Sequence, residues 1–352
     1  MAAAEYEVEP SQRWIIAGAV MTSTFMEVLD TTVVNVSLPH IGGTLSASID
    51  ESTWVLTSYL VANAIVLPLS GWLARRFGRK RLLMSSVIGF TLSSLMCGLA
   101  PNLATLIAFR VLQGTTGGAL QPLSQAVMLE TFPPEERGKA MGFWLLGIVS
   151  APILGPVLGG WLTDSYSWRW AFYINLPVGI TSVMLIRRFL VDPPYLRQTS
   201  AHIDYTGVGL LAVGMGSLQI LLDKGQEEDW FSSNWMVLLA VVSVVALVLF
   251  IVHELRTKDP IVDLRVFKVA SYATGVTLIS IVAFALYGSL VLLPIMLQTL
   301  FGYPSLQAGV ALAPRGVGSF VGMPVVGQLT ARVDPRLLVA SGLLVTSLTM
   351  VW

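Results

Sequence analysis

Two acids and one base stand where charge is costly. Glu27 and Asp30 interrupt an apolar run over 14–38, and Arg110 interrupts another over 103–126. An ionisable residue inside a membrane-crossing run belongs to an ion pathway, a proton relay or a paired charge. Glu27 and Asp30 are three residues apart, so they share one helical face. A low-dielectric surrounding favours the neutral form of a carboxyl, and a nearby guanidinium favours the ionised form. A proton coupler needs that tunable balance. At a rise of about 1.5 Å per residue, Glu27 falls near the midplane and Asp30 somewhat towards the outer side. Arg110 lies a similar distance from the outer end of its own, oppositely running span, so it can meet Asp30 at one depth. Either carboxylate is then a candidate proton carrier. The alternative is a static Asp30–Arg110 pair that only fixes helix packing.

Arg110 does not stand alone on its helix. Arg110, Gln113, Gly117, Gln121 and Gln125 step by three and four residues and draw a polar stripe down one face, the pattern of a cavity lining. Trp54, Tyr59, Trp144 and Tyr287 are apolar and aromatic candidates for the same wall, or equally for helix contacts and the membrane interface. Arg315 is a further charge inside a run, with no acid near it. Other chemistries find no support. His40, His202 and His253 sit in separate loops and suggest no metal site, and Cys97 is the one cysteine, so no intrachain disulfide forms. Ser-His-Asp, glycine-rich phosphate and Cys-x-x-Cys patterns are absent, so neither a hydrolytic centre nor an ATP cassette is expected, and no cofactor.

The elements that must position these groups follow from composition. Of 352 residues, 54% are hydrophobic and 12% charged; a soluble domain carries about twice that charged share. A net charge of zero argues against a nucleic-acid partner. A helix needs about 20 mainly apolar residues to cross the hydrocarbon. Such runs lie near 14–38, 53–73, 82–100, 103–126, 140–162, 170–189, 205–222, 235–253, 270–298 and 306–330, with an eleventh from about 337. The chain stops at Trp352, within that last run, and reads as truncated there. The first run follows Glu5, Glu7 and Glu9 rather than a basic segment, so it reads as a retained span and not a signal peptide.

Orientation follows from the basic residues. Arg75, Arg76, Arg79, Lys80 and Arg81 follow span 2, Arg137 and Lys139 follow span 4, and Arg187, Arg188 and Arg197 follow span 6. Arg256, Lys258, Arg265, Lys268, Arg332 and Arg336 continue the series. The alternate loops hold Arg169 and Lys224 against Asp50, Glu51, Asp164, Glu227, Glu228 and Asp229. The N-terminus is therefore expected in the cytoplasm. The stretch Gly71–Leu82 recurs loosely at Gly327–Leu338, each time after the second span of a block, as in duplicated transporters. The organisation expected is a tail over 1–13, a six-helix half over 14–190, a linker with two inserted helices over 191–254, and the start of a second half over 255–352.

Several motifs occur in order along this frame. Gly71, Arg75, Arg76, Gly78, Arg79 and Lys80 belong to a stretch that resembles the G-x-L-a-D-r-x-G-r-k loop of the major facilitator superfamily, with Arg75 where that family usually has Asp. Arg110-Val-Leu-Gln-Gly114 resembles its R-x-x-q-G motif. Gly147, Pro152, Gly155, Pro156, Gly159 and Gly160 fall in a stretch similar to its antiporter motif g-x-x-x-G-P-x-x-G-G. The prolines each remove a backbone donor, and Gly155, Gly159 and Gly160 permit close helix approach. Leu29-Asp30 through Asn35 to Pro39, and Trp168-Arg-Trp through Asn175 to Pro177, resemble the fourteen-span drug/proton antiporter group of EmrB/QacA type. Leu123-Ser-Gln125, Pro133-Pro134, Leu222-Asp223-Lys-Gly225 and Pro260-Ile-Val-Asp263 are similar to its EmrB-like branch of inner-membrane multidrug efflux pumps.

This resemblance covers the whole chain. It implies an all-α membrane bundle of six plus two plus six spans, Asn35 among the cavity residues, and a secondary active exporter of hydrophobic or amphipathic compounds driven by inward proton flow. Protonation of Asp30 or Glu27 would then compete with a cationic or amphipathic substrate. It further implies a periplasmic membrane-fusion protein and an outer-membrane channel as partners, with membrane lipid around the helices. Export of one physiological solute (a siderophore, fatty acid or peptide) stays open, as does a non-transporting scaffold or sensor, which would make the buried charges dispensable.

The expected topology is testable with an impermeant thiol reagent on intact cells. Glu228→Cys should label from outside, while Arg79→Cys and Lys139→Cys should label only after permeabilisation. Labelling at position 79 in intact cells would reverse the orientation.

Overall fold

A computed structural model describes residues 9–191, 204–258, 260–303 and 333–351, with isolated positions between 311 and 329. These residues form α1 (Pro10–Leu45), α2 (Ile49–Phe77), α3 (Arg79–Leu99), α4 (Leu103–Gly117), α5 (Leu120–Thr131), α6 (Arg137–Ser165), α7 (Trp170–Tyr173), α8 (Asn175–Phe189), α9 (Tyr205–Lys224), α10 (Asn234–Arg256), α11 (Ala270–Thr299) and α12 (Pro335–Val351). Among the described residues six stretches are long and apolar enough to cross a membrane on length and composition alone: Asp50–Phe77, Arg79–Leu99, Arg137–Ser165, Trp170–Phe189, Tyr205–Lys224 and Asn234–Arg256. Helix α1 is longer than any of them and carries the buried carboxylates of Glu27 and Asp30.

The helix ends have local causes. Ser48 and Glu51 form a reciprocal cap at the start of α2, with Ser48 N donating to Glu51 Oε2 at 2.8 Å and Glu51 N to Ser48 Oγ at 3.2 Å. Asn102 caps α4 by accepting from Thr105 N at 2.9 Å. A single residue, Gly78, joins α2 to α3 at φ +84° and ψ 146°, a conformation that a side chain would oppose.

The observed helices extend or interrupt the expected spans in three places. The first span begins at Pro10, so Pro10–Arg13 are helical rather than tail. The fourth is broken between α4 and α5, and the sixth between α7 and α8. Both breaks have the same origin. Pro122 has no N–H for the carbonyl of Gly118, and Pro177 has none for that of Tyr173, so the helical ladder lapses four residues before each. Most of the span expected at 306–330, Arg315 included, and part of the second basic repeat lie outside the described residues, as do His202, Arg197 and Arg332.

Helix α1 is the hub. It packs along α6 and against α8, α5 and α2, while α4 lies against α2 and α3. The approach of α6 depends on its glycines. A Cβ at Gly159 would stand 3.0 Å from the Val33 carbonyl oxygen and 3.1 Å from Val33 Cα, and one at Gly155 would collide with Thr32. Gly160 departs from the expected close approach. A Cβ there meets nothing within 4 Å, because one residue further along the helix turns the position off the α1 face.

Apolar side chains gather in two layers. One holds Ile16, Val20, Met26, Tyr59, Leu83, Phe90, Leu123, Met128 and Phe132. The other holds Leu29, Val33, Ile41, Val55, Leu106, Trp168 and Phe172. On α1 the layers change over between Met26 and Leu29, with Glu27 inside that interval and Asp30 just after it. Helices α9 and α10 pack on each other, and α9 packs on α2 through a separate apolar cluster of Leu69, Trp72, Leu211, Phe250 and Ile261. Lys224, at the end of α9, pairs with Glu227 at 2.7 Å, hydrogen-bonds Thr53 on α2 and lies 5.6 Å from the Trp54 ring. Asp223 accepts from Thr57.

The glycine face of α6 gives a paired test. Gly159→Leu should overpack the α1 contact and cost about 1–3 kcal/mol, lowering melting temperature and monodisperse yield of the full-length protein in detergent. Gly160→Leu should stay within about 0.5 kcal/mol of the parent. Equal effects would mean that α6 does not meet α1 on this face.

Candidate functional site

The changeover between the two apolar layers holds a polar cluster. Arg110 on α4 reaches Asp30 on α1, with Arg110 Nη1 2.6 Å from Asp30 Oδ2, and neither side chain has any solvent exposure. The reach is possible because the guanidinium is steadied along its length. Its Nε donates to the Val55 carbonyl on α2 at 2.9 Å, and its carbon lies 4.1 Å from the centre of the Tyr59 ring and 5.8 Å from that of Phe172. Gly114, one turn after Arg110, touches the Tyr59 backbone, and this brings α4 close enough for the ring to face the guanidinium.

Asp30 is held by two amides as well. Gln113 Nε2 donates to Asp30 Oδ1 at 3.0 Å, and Asn175 Nδ2, from the start of α8, donates to the same oxygen at 2.7 Å. Gln113 Oε1 accepts from Arg110 Nη1 at 2.8 Å and from the Cys97 thiol at 3.5 Å. Asn175 Nδ2 also donates to Ser94 Oγ at 2.9 Å, and Ser94 in turn donates to the Phe172 carbonyl at 2.9 Å. One carboxylate therefore ties together α1, α3, α4 and α8. Such a pair inside a low-dielectric bundle depends on further hydrogen bonds, and these satisfy both oxygens of Asp30.

Glu27 stands apart from that pair. It is 4% exposed; its Oε1 accepts from Asn63 Nδ2 on α2 at 2.8 Å, and its Oε2 is buried with no hydrogen-bond partner. Arg110 Nη2 and Asn175 Oδ1 are also buried without hydrogen-bond partners.

The remaining expected residues are scattered. Gln113 and Gly117 are fully packed, Gly117 against Phe90 and Tyr59, so neither borders an open cavity in this state. Gln121 and Gln125 follow the helix break and are half-buried on α5, so the polar stripe does not run down one unbroken helix. Asn35 is exposed. In the basic loop, Arg79 pairs with Glu130, Lys80 Nζ donates to the Arg187 carbonyl at 2.8 Å, and Gly71, Arg75 and Arg76 are exposed along α2. Gly147 faces Met21 on α1, while Pro152 and Pro156 lie within α6. Trp144 is buried and donates to Thr24 at 3.4 Å; the Tyr287 side chain lies outside the described residues. Among the described residues no cluster of His, Cys, Asp and Glu could hold a metal ion.

Sequence reasoning passed over Asn63 and Ser94, and saw Asn175 only as part of a motif. The signal for Asn63 was present: it is an amide inside an apolar run, four residues after Tyr59 and so on the same face. Ser94 gave none, since small hydroxyls are common inside membrane helices.

Residues 20–352 match the family model described as Major Facilitator Superfamily. The chain is 44% identical over 335 residues to the multidrug export protein EmrB of Haemophilus influenzae, covering 95% of this chain and 65% of that protein. It is 43% identical to the fatty acid resistance protein FarB of Neisseria gonorrhoeae, covering 94% of this chain and 65% of that protein. The chain thus spans about two thirds of the length of these relatives. Among solved structures it resembles the proton:xylose symporter XylE, with a TM-score of 0.58 at 16% identity over 91% of this chain and 70% of that one; this likeness concerns the fold alone.

The Asp30–Arg110 contact predicts strong coupling. Asp30→Ala or Arg110→Ala alone leaves an unpaired charge in the bundle and should destabilise the protein by about 3–5 kcal/mol. The double variant should melt higher than either single one, measured on the full-length protein in detergent. Strict additivity would show that the two side chains do not interact.

Proposed function

Because this chain belongs to the major facilitator superfamily and is a multi-pass membrane protein, we propose that it works as a proton-coupled exporter of hydrophobic and amphipathic compounds, a drug/proton antiporter. The observation that carries this reading is the sealed cluster of Asp30, Arg110, Gln113 and Asn175 between two apolar layers, with the second carboxyl of Glu27 one turn away. A bundle that only needed to hold together would be as stable with apolar side chains there. Charges kept in such a place, able to take or release a proton as their surroundings become wet or dry, suit a coupler that alternates between two faces of a membrane. Protonation at Asp30 or Glu27 then competes with the charge of the substrate. The 44% identity to a multidrug export protein supports the substrate class.

The N-terminus lies in the cytoplasm of this proposed exporter, and its membrane is the inner one. By likeness to the EmrB proteins, a periplasmic membrane-fusion protein and an outer-membrane channel are its proposed partners. Export of a single physiological solute is the second reading, favoured by the 43% identity to a fatty acid resistance protein. The charge of the site weighs against a fatty acid, since ionised Glu27 would repel a carboxylate and Arg110 is already paired.

The test is a panel of lipophilic cations and long-chain fatty acids, given to a pump-deficient host expressing the full-length protein with and without a protonophore. Resistance to several unrelated cations, lost when the proton gradient is collapsed, is expected. Resistance to fatty acids alone would establish the second reading, and no change in resistance would remove both.

A further inference from the structure

Resting on the exporter reading, we infer that Glu27, and not Asp30, is the carboxyl that exchanges a proton for the positive charge of a lipophilic cation. The two acids differ in what surrounds them. Both oxygens of Asp30 are engaged by Arg110, Gln113 and Asn175, and every one of those contacts is a donor. A proton on Asp30 would face donors unless the Asn175 amide turned its free oxygen inward, and in either case it would leave the Arg110 charge without its counter-ion in a dry interior, the costly half of a broken pair. Asp30 therefore keeps Arg110 as its partner in the proposed exchange and ties α1, α3, α4 and α8 together.

Glu27 has the opposite inventory. One oxygen takes a neutral amide from Asn63, the other is buried with no partner, and no cation reaches either. The charged and titratable groups facing it are few. Asp30, one turn along the same helix, is an anion; α2 brings Tyr59 and Asn63; and the Arg110 guanidinium from α4 is taken by Asp30. Helices α5, α6 and α8, which also pack on α1, carry charge only towards their ends, at Glu130, at Arg137, Lys139 and Asp164, and at Arg187 and Arg188. A second bare anion beside Asp30 has nothing to neutralise it, so in this sealed arrangement Glu27 holds its proton.

The exchange balances in charge and in atoms. In the sealed state the site sums to zero, with Asp30 and Arg110 cancelling and Glu27 neutral. When the site opens to cytoplasmic water, the O–H bond of the Glu27 acid breaks, the proton leaves on a water molecule, and the carboxylate receives the substrate's cationic group. The sum is again zero. On the outer side the cation leaves and a proton from water restores the acid. One proton moves per monovalent cation, and a neutral amphipath has no charge with which to displace it.

Dicyclohexylcarbodiimide, which adds to protonated carboxyls in apolar surroundings, tests this on the unaltered full-length protein in membranes, with the adduct located by mass spectrometry. The expected result is an adduct on Glu27, none on Asp30, and loss of labelling when tetraphenylphosphonium is present. An adduct on Asp30, or none on Glu27, overturns the assignment. In parallel, tetraphenylphosphonium added to the purified protein in weak buffer should release a proton, read with an indicator dye, and this release should vanish in Glu27→Gln. Release that persists in that variant also overturns the proposal. Labelling of Glu27 that tetraphenylphosphonium does not change defeats the exchange, and if no compound of the panel is exported either, the exporter reading falls while Glu27 remains the protonated group.

Discussion

A guanidinium and a carboxylate 2.6 Å apart, with no solvent exposure, are the constraint on which the N-terminal bundle depends. Neither charge is tolerable there without the other, and neither is satisfied by the other alone. Gln113, Asn175, Val55 and Tyr59 supply the remaining contacts, and each belongs to a helix that must then lie at a set distance from α1 or α4. The pair thus specifies geometry as well as contributing energy. Apolar packing between membrane helices has no strong preference for one register, because lipid is as apolar as leucine. A hydrogen-bonded charge cluster does have one.

Around that cluster, small residues set how closely the helices come. Gly155 and Gly159 admit α1 to the face of α6, and Gly114 admits the backbone of α2 to α4. These approaches bring Tyr59 over the guanidinium and Asn63 onto Glu27. The two inserted helices sit outside this arrangement. They lean on α2 through the Leu69–Trp72 cluster at one level and through Lys224, Thr53 and Trp54 at another, so α2 links the insert to the helices that hold the charges.

The chemistry proposed for the site follows from this division of labour. A transporter of this kind must have one group that can change its charge and a surrounding frame that does not collapse when it does. Asp30 and Arg110 form a frame that is neutral as a pair and rigid through its partners. Glu27, held by a single amide, is the group free to change. Placing both acids on one helix, three residues apart, puts the frame and the exchanging group about one turn apart without sharing partners.

Much of this was legible in the residues themselves. Apolar runs of membrane length are read directly from composition, because hydrocarbon requires them, and the described helices fall on the expected spans at 53–73, 82–100, 140–162, 205–222, 235–253 and 270–298, most of them running a few residues further. The meeting of Asp30 with Arg110 was also legible, since charges that are rare in such runs have few places to go. The breaks at Pro122 and Pro177 were written in the sequence but outweighed by continuous hydropathy. What only the tertiary structure decided was which side chains close around each acid. Gln113 turned inward to Asp30 rather than towards a cavity, Asn175 arrived from a distant helix, and Asn63 went to Glu27. Helical period gives the face a residue is on, but the rotation and approach of neighbouring helices determine what that face meets, and those depend on packing contacts spread over the whole bundle.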